Sequence, residues 1–369
     1  MDDFFQLLRP AGGGIHTVST GRAAREALQK SLYGARDEAE VQEKWRAAIA
    51  GLRQARVAVL GIPSDCGAGL VRGAAFGPEA VRAALLRACP DFPQRAARAG
   101  VVDVGDLFVV PQLLTDDMLS EDQRRRTRAA LYGPAAASNA DLPVAPLTAA
   151  ERVVDRLLAQ APGLKIFMLG GDHSVAWPVV AALARHASEP WAIVHADAHT
   201  DLLPERLGIR ICFATWAYHA NELLGRGGRL VQIGVRASSR PKEHWESTLG
   251  VKQIWADEVR AKGETVIDDI IAHLQRIGVR SVYLSNDIDA TDGPAAPSTG
   301  APEPDGLSPA FVRALIRRIG AAFPLLGADV VEVAPSIGSP EDARLTADVA
   351  ATYMRESLAV LAGAPELAS

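Results

Sequence analysis

Residues 165–201 read KIFMLGGDHSVAWPVVAALARHASEPWAIVHADAHTD, and the order of residue types along this stretch decides the fold. Two short apolar runs, KIFML and WAIVHA, each stop in a polar burst: Gly170-Gly171-Asp172-His173-Ser174 after the first, Asp197-Ala198-His199-Thr200-Asp201 after the second. A strand that is apolar on consecutive residues, not alternate ones, is buried on both faces, which is the signature of a parallel sheet covered by helices. The same kind of run recurs outward in both directions, as RVAVLG from Arg56, VVDVG at 101–105, LVQIGV at 230–235, SVYLSND at 281–287 and LLGADVVEV at 325–333, with QIWA at 253–256 the weakest. Helical patterns such as ERVVDRLLAQ, TVIDDIIAHLQRI and PAFVRALIRRIG lie between most of them. The pattern predicts a three-layer α/β/α fold around a central, mostly parallel eight-stranded sheet.

Two segments stand outside this rhythm. Residues 1–55 carry helix formers and mixed charge, with helices predicted over Arg22–Tyr33 and Glu38–Leu52, and read as an N-terminal helical extension. Residues 108–147, with DDMLSEDQRRR and GPAAASNADLP, read as an insertion in a catalytic unit spanning 56–369. With 369 residues, 48% of them hydrophobic, the chain has ample material for a large core. A net charge of −5 without a basic stripe gives no reason to expect nucleic acid or an acidic membrane as partner. Cys66, Cys89 and Cys212 are widely spaced and form no CxxC pair, which suits a reducing compartment. The acidic N-terminus and the absence of a long apolar stretch make a cytoplasmic protein the expectation, with small molecules as its partners.

Ligand sites of open parallel sheets form beyond the carboxyl ends of the strands. Here those ends carry His173, then Asp197, His199 and Asp201, then Asp287, Asp289 and Asp292. In extended backbone Asp197, His199 and Asp201 project to one side, as do Asp287 and Asp289. So many carboxylates would repel one another unless cations neutralised them, and mixed N/O donors suit a pair of divalent ions. Two such ions about 3.5–4 Å apart can share carboxylates, activate a water between them and polarise a substrate. No G-x-G-x-x-G or Walker pattern accompanies Gly170-Gly171, so a nucleotide loop is not indicated.

Taken together, GGDHS, HADAHTD and SNDIDATDGPAAPSTGAPEPDGLS, with GADVVEVAP downstream and LGIPSDCGAGLVRGAAFGPEAVRAAL upstream, resemble the ureohydrolase (arginase/agmatinase) family, on its agmatinase-like branch. The resemblance implies a hydrolase of non-peptide C–N bonds in linear amidines, with two divalent ions per chain, Mn2+ first and Ni2+ as the alternative. It places His173, Asp197, Asp201 and Asp287 on one ion and Asp197, His199, Asp287 and Asp289 on the other. It further implies attack of a metal-bridging hydroxide on a guanidino carbon to give urea and an amine, Asp289 moving a proton, and Glu332 pairing with the guanidinium. A homo-oligomer, trimer or hexamer, is implied as well. A formimino-type amidine as substrate and a catalytically silent metal-binding homologue are the competing readings.

The resemblance breaks where the family has a His-Gly pair about ten residues beyond the DxHxD motif. The simplest register puts Cys212-Phe213 there, which makes Cys212 a candidate catalytic residue and His219 its substitute if the register slips. Asn286, Ser298, Asp305 and Gly338 also depart from the pattern. His195 reads as a hydrogen-bonding neighbour of the ligands, and Trp177, Trp216 and Trp245 as candidate members of a cation cage. Substrate-tail contacts are expected from the loops at 66–75 and 202–212, and from 108–147.

Overall fold

A computed structural model of the protein describes residues 2–16, 20–69 and 71–369. Leu70, within the 66–75 loop, therefore lies outside the described residues, as does part of the N-terminal extension. The strands are β1 (Leu8–Arg9), β2 (Val57–Ile62), β3 (Val101–Leu107), β4 (Lys165–Gly170), β5 (Trp191–Ala196), β6 (Leu230–Val235), β7 (Lys252–Trp255), β8 (Ser281–Asn286) and β9 (Leu325–Val330). They form one sheet in the order β1-β3-β2-β4-β9-β8-β5-β6-β7. All neighbours run parallel except β1, which pairs antiparallel with β3 through Leu8↔Leu107 and Arg9↔Asp106.

The eight runs read from the sequence are β2 to β9, so the count of eight is corrected to nine by β1. Two residues carry no readable period, and β1 lies in the segment expected to be only helical. Gly105 admits it: its φ is 85°, and a Cβ there would stand 2.0 Å from the Arg9 carbonyl oxygen. The register of β3 against β2 also slips at this point.

Strand alternation divides the core between two helical layers. Val57, Val59, Phe167, Leu169, Ala192 and Val194 face one layer, with Val81, Leu85, Val266, Leu315 and Tyr353 on its helices. Ala58, Leu60, Ile166, Met168 and Ile193 face the other, with Trp45, Val153, Leu157, Val179 and Trp216. The extension is part of that second layer. Its Leu7, Leu8, Trp45 and Ile49 are buried, and the Trp45 indole donates to the Val104 carbonyl at 2.8 Å. Residues 108–147 contain a helix, Glu121–Tyr132. Asp116 accepts from the Val144 and Ala145 N–H groups at 3.1 and 2.7 Å, fixing the start of the helix Pro146–Gln160. Among the described residues no helix is long and apolar enough to cross a membrane.

A buried ion network ties helix Gly77–Ala88 to the sheet edge. Fully buried Arg82 grips Asp103 through Nε and Nη2 at 2.8 and 3.0 Å and Asp106 through Nη1 at 2.5 Å, while Asp106 accepts from the Gly12 N–H at 2.7 Å. Removing one partner strands the other charges in a dry interior. Arg82→Ala is expected to cost about 3–5 kcal/mol in denaturant unfolding, with the extension losing hydrogen-exchange protection along with the edge strands.

Candidate metal centre

The order β4-β9-β8-β5 sets four strand ends side by side, although β4 and β5 are consecutive in the chain. The connection from β4 to β5 skips two positions, which β8 and β9 later fill. Backbone hydrogen bonds carry the pairing past the strand ends: Asp287 N–H to Ala196 O (3.0 Å), Val331 N–H to Asn286 O (3.0 Å) and Glu332 N–H to Gly171 O (2.8 Å). Gly171 is required by close approach, since a Cβ there would lie 1.8 Å from the Ser64 carbonyl oxygen. Asp172 turns the chain, accepting from Ser174 N–H at 2.8 Å and Gly67 N–H at 3.0 Å. Asp201 and Glu332 sit at φ 52° and 61°, a region costly for residues with a Cβ and tolerated mainly where surrounding structure enforces it.

These ends bring His173, Asp197, His199, Asp201, Asp287, Asp289 and Glu332 to the wall of one cavity of about 170 Å³. His173 Nδ1 lies 3.0 Å from Asp287 Oδ2, 3.2 Å from Asp197 Oδ2 and 3.6 Å from Asp201 Oδ2. His199 Nδ1 lies 3.0 Å from Asp289 Oδ2 and 3.4 Å from Asp197 Oδ1. Asp197 thus turns one oxygen to each histidine. Candidate ligand atoms gather within 4.8 Å of one another in two groups, His173/His195/Asp197/Asp201 and Asp197/His199/Asp289, with Asp197 common to both.

Hydrogen bonding on the far side of His173 shows what the cluster is built to hold. Ser285 Oγ donates to Asp329 at 3.1 Å, and Asp329 also accepts from Tyr283 OH (2.8 Å) and Asn286 N–H (2.9 Å). With its one proton so committed, the Ser285 hydroxyl accepts from His173 Nε2–H at 3.0 Å. In the neutral ring Nδ1 is then a bare lone pair facing three carboxylates, an arrangement that repels unless a cation stands between. Without a cation there, the carboxylates draw a proton onto the ring: burial works against the imidazolium, but hydrogen bonds to Asp197 and Asp287 push the His173 pKa well up. Burial and the charge of Asp197 push the Asp201 carboxyl well up, burial with Asp289 and Asp197 does the same to Asp287, and burial with Asp172 does so to Glu332. Burial works against the His199 imidazolium, yet hydrogen bonds to Asp197 and Asp289 lift its pKa to about 12. Without metal, protons occupy the places that divalent cations would take.

His195 belongs to the first group by distance, but both its ring nitrogens are engaged. A buried relay fixes them. The Trp255 indole can only donate, and gives its proton to Gln253 Oε1 (2.9 Å); Gln253 Nε2 donates to Gln232 Oε1 (2.8 Å); Gln232 Nε2 donates to Thr200 O (2.6 Å) and to His195 Nδ1 (3.0 Å). The remaining His195 proton is on Nε2 and points at Asp197 Oδ2, 2.7 Å away.

The other sequence-derived candidates do not line this cavity. Cys212 is buried, with Thr215 Oγ1 accepting from its N–H at 2.8 Å; burial pushes its thiol up, and it is Phe213 that lines the cavity. His219 Nε2 lies 3.1 and 3.0 Å from the Pro204 and Arg210 carbonyl oxygens. Trp216 is buried beneath the site, stacked on His173 with ring centroids 4.6 Å apart and donating to Asp201 Oδ2 at 3.0 Å. The Trp245 indole donates to Ser238 Oγ at 2.9 Å, and Trp177 meets His219 and Arg210. Neither Trp177 nor Trp245 is on the cavity wall. Ser285, Asp329, Gln232, Gln253 and Arg206 went unrecognised in the sequence. For Asp329 and the two glutamines the available signal was a polar residue inside an otherwise apolar strand.

Comparison with known proteins agrees with this architecture. The arginase family profile matches residues 55–359. The agmatinase of Chromobacterium violaceum is 31% identical over 293 residues, covering 77% of this chain and 78% of that protein. The guanidinobutyrase of Pseudomonas aeruginosa is 30% identical over 314 residues, 83% of this chain and 86% of its own. The solved structure of proclavaminate amidino hydrolase from Streptomyces clavuligerus superposes with a TM-score of 0.65 at 28% identity, covering 85% of this chain and 93% of the other. The chain belongs to the arginase family.

Proposed function

We propose that this protein hydrolyses the C–N bond of a guanidino compound, releasing urea and an amine, at a pair of divalent cations, Mn2+ or alternatively Ni2+. The observation that carries the reading is His173 Nδ1 set within 3.0–3.6 Å of Asp287, Asp197 and Asp201, with Glu332 on the same cavity wall. The donor set fits: nitrogen and carboxylate oxygen suit borderline dications, and Asp197 reaches toward both histidines. In this reading His173, Asp197, Asp201 and Asp287 hold one ion, and Asp197, His199, Asp287 and Asp289 the other. When bound, the ions supply Lewis acidity and an activated water.

The chain's own groups do the rest. Glu332 Oε1 is occupied by the His173 N–H at 2.9 Å, which leaves Oε2 for the planar fork of a guanidinium. A cation there draws the Glu332 carboxyl back to its charged form. Asp289 accepts the Ala198 N–H on Oδ1 at 3.1 Å, keeping Oδ2 beside His199, from where it passes a proton to the departing nitrogen. Cys212, buried next to the cavity-lining Phe213, remains the proposed residue at the family's histidine position. The working unit is residues 56–369, with 1–55 as extension and 108–147 as insertion, in a cytoplasmic homo-oligomer, trimer or hexamer.

The test is urea release from a panel of guanidino compounds, and formamide release from a formimino compound, after loading with Mn2+ or Ni2+ and counting metal per chain. Urea with about two ions per chain supports the proposal. Formamide from the formimino compound alone selects the formimino reading, and two ions without turnover of any compound selects the silent homologue.

A further inference from the structure

One side of the cavity is closed by the loop between Leu202 and Cys212, and this loop is firmly built. Arg206 and Ile209 exchange both backbone hydrogen bonds, at 3.0 and 2.9 Å, around Leu207 and Gly208 with φ of 53° and 78°. That is the two-residue hairpin turn whose twist matches its arms. His219 touches the carbonyls of Pro204 and Arg210 on either side of the turn, and Phe213 N–H donates to Gly67 O at 3.1 Å. The result delivers Arg206 to the cavity wall with its guanidinium carbon 5.0 Å from the centre of the Phe213 ring. Phe213 in turn fills the space opposite Gly69, where a Cβ would stand 3.2 Å from the ring.

Charge is sharply divided along this cavity. Buried Asp197, Asp201, Asp287 and Asp289 share the wall with Glu332 and with exposed Arg206; apart from His173 and His199, the other described wall residues, Ala68, Gly69, Val71, Phe213, Gly300 and Ala301, are uncharged. Among the described residues no carboxylate pairs with Arg206, which remains exposed at the mouth. A substrate whose guanidinium enters toward Glu332 therefore runs its methylenes along Phe213 and presents its far end to a cation.

We propose, building on the guanidino-hydrolase reading, that Arg206 held over Phe213 anchors a carboxylate at the far end of the substrate, so that the substrate class is an ω-guanidino acid. A bidentate, charge-assisted contact rewards the acid, while like charge at the same place penalises a guanidine with an ammonium tail.

The experiment compares 4-guanidinobutyrate with agmatine, which has the same four-carbon spacing and the opposite tail charge, alongside 3-guanidinopropionate and 5-guanidinovalerate. In wild-type protein kcat/KM is expected to favour one of the acids over agmatine by about tenfold or more. Arg206→Gln should reduce that ratio about tenfold, chiefly through the KM of the acid, and Arg206→Glu should invert it. Added salt should erode the acid preference in wild type and not in Arg206→Gln. Thermal melting unchanged in both variants confirms that an exposed side chain has been altered without unfolding. An acid-to-agmatine ratio that is the same in wild type and Arg206→Gln overturns the assignment. Agmatine turnover with no acid hydrolysed overturns it too, while leaving the parent reading intact; no urea from any compound removes both.

Discussion

Asp197→Ala is expected to lower bound metal from about two ions per chain to less than one and to reduce urea release by at least about 10³-fold. The cause is geometric. Asp197 Oδ2 lies 3.2 Å from His173 Nδ1 and Oδ1 lies 3.4 Å from His199 Nδ1, so one side chain serves both halves of the cluster. No neighbour can replace it, because Asp287 approaches His173 from β8 and Asp289 is already committed to His199. The fold should survive, since deleting a carboxylate relieves crowding around Asp201 and Asp287. Asp197→Asn sharpens the test: it keeps the shape and an acceptor for the His199 N–H while removing the charge, and it should lose metal almost as completely. Elemental analysis after dialysis reads the result, with a melting curve of the metal-free protein confirming folding. Two ions per chain in either variant would refute the shared-ligand role.

Glu332→Gln separates substrate binding from metal binding. The amide oxygen can still accept from His173 N–H, so the local backbone at φ 61° and the metal content should be unchanged. What disappears is the negative charge facing the guanidinium, inside a cavity where burial and Asp172 already push the carboxyl toward neutrality. Losing a charge-assisted, buried contact predicts a drop of about 10²–10³ in kcat/KM. A variant with two metals and wild-type kcat/KM would remove Glu332 from the substrate's path.

Much of this was legible in the sequence because parallel strands buried on both faces read as unbroken apolar runs, and because functional side chains follow immediately where those runs stop. β1 was not legible, since its pairing depends on a glycine conformation ninety-odd residues away in sequence at Gly105. Nor was Arg206: its placement follows from a hairpin turn in which Leu207, not glycine or asparagine, takes the left-handed conformation. Asp305 is a second such case. It adopts φ 60° although it is not a glycine. The tryptophans illustrate how little residue type alone decides. Trp216 is at the site, but it lies beneath His173 and bonded to Asp201, out of reach of a cation in the cavity.

The chain of hydrogen bonds from Trp255 to Asp197 has a directional consequence. Each glutamine amide could in isolation be reversed end for end, and an imidazole could carry its proton on either nitrogen. An indole cannot be reversed. Placing one at the outer edge of the sheet, in β7, fixes Gln253, while the Thr200 carbonyl and the Asp197 carboxylate, which can only accept, fix Gln232 and His195 in the same sense. The sheet thus works as a polarised wire that carries orientation rather than charge, clamped at both ends so that the site has a single proton arrangement.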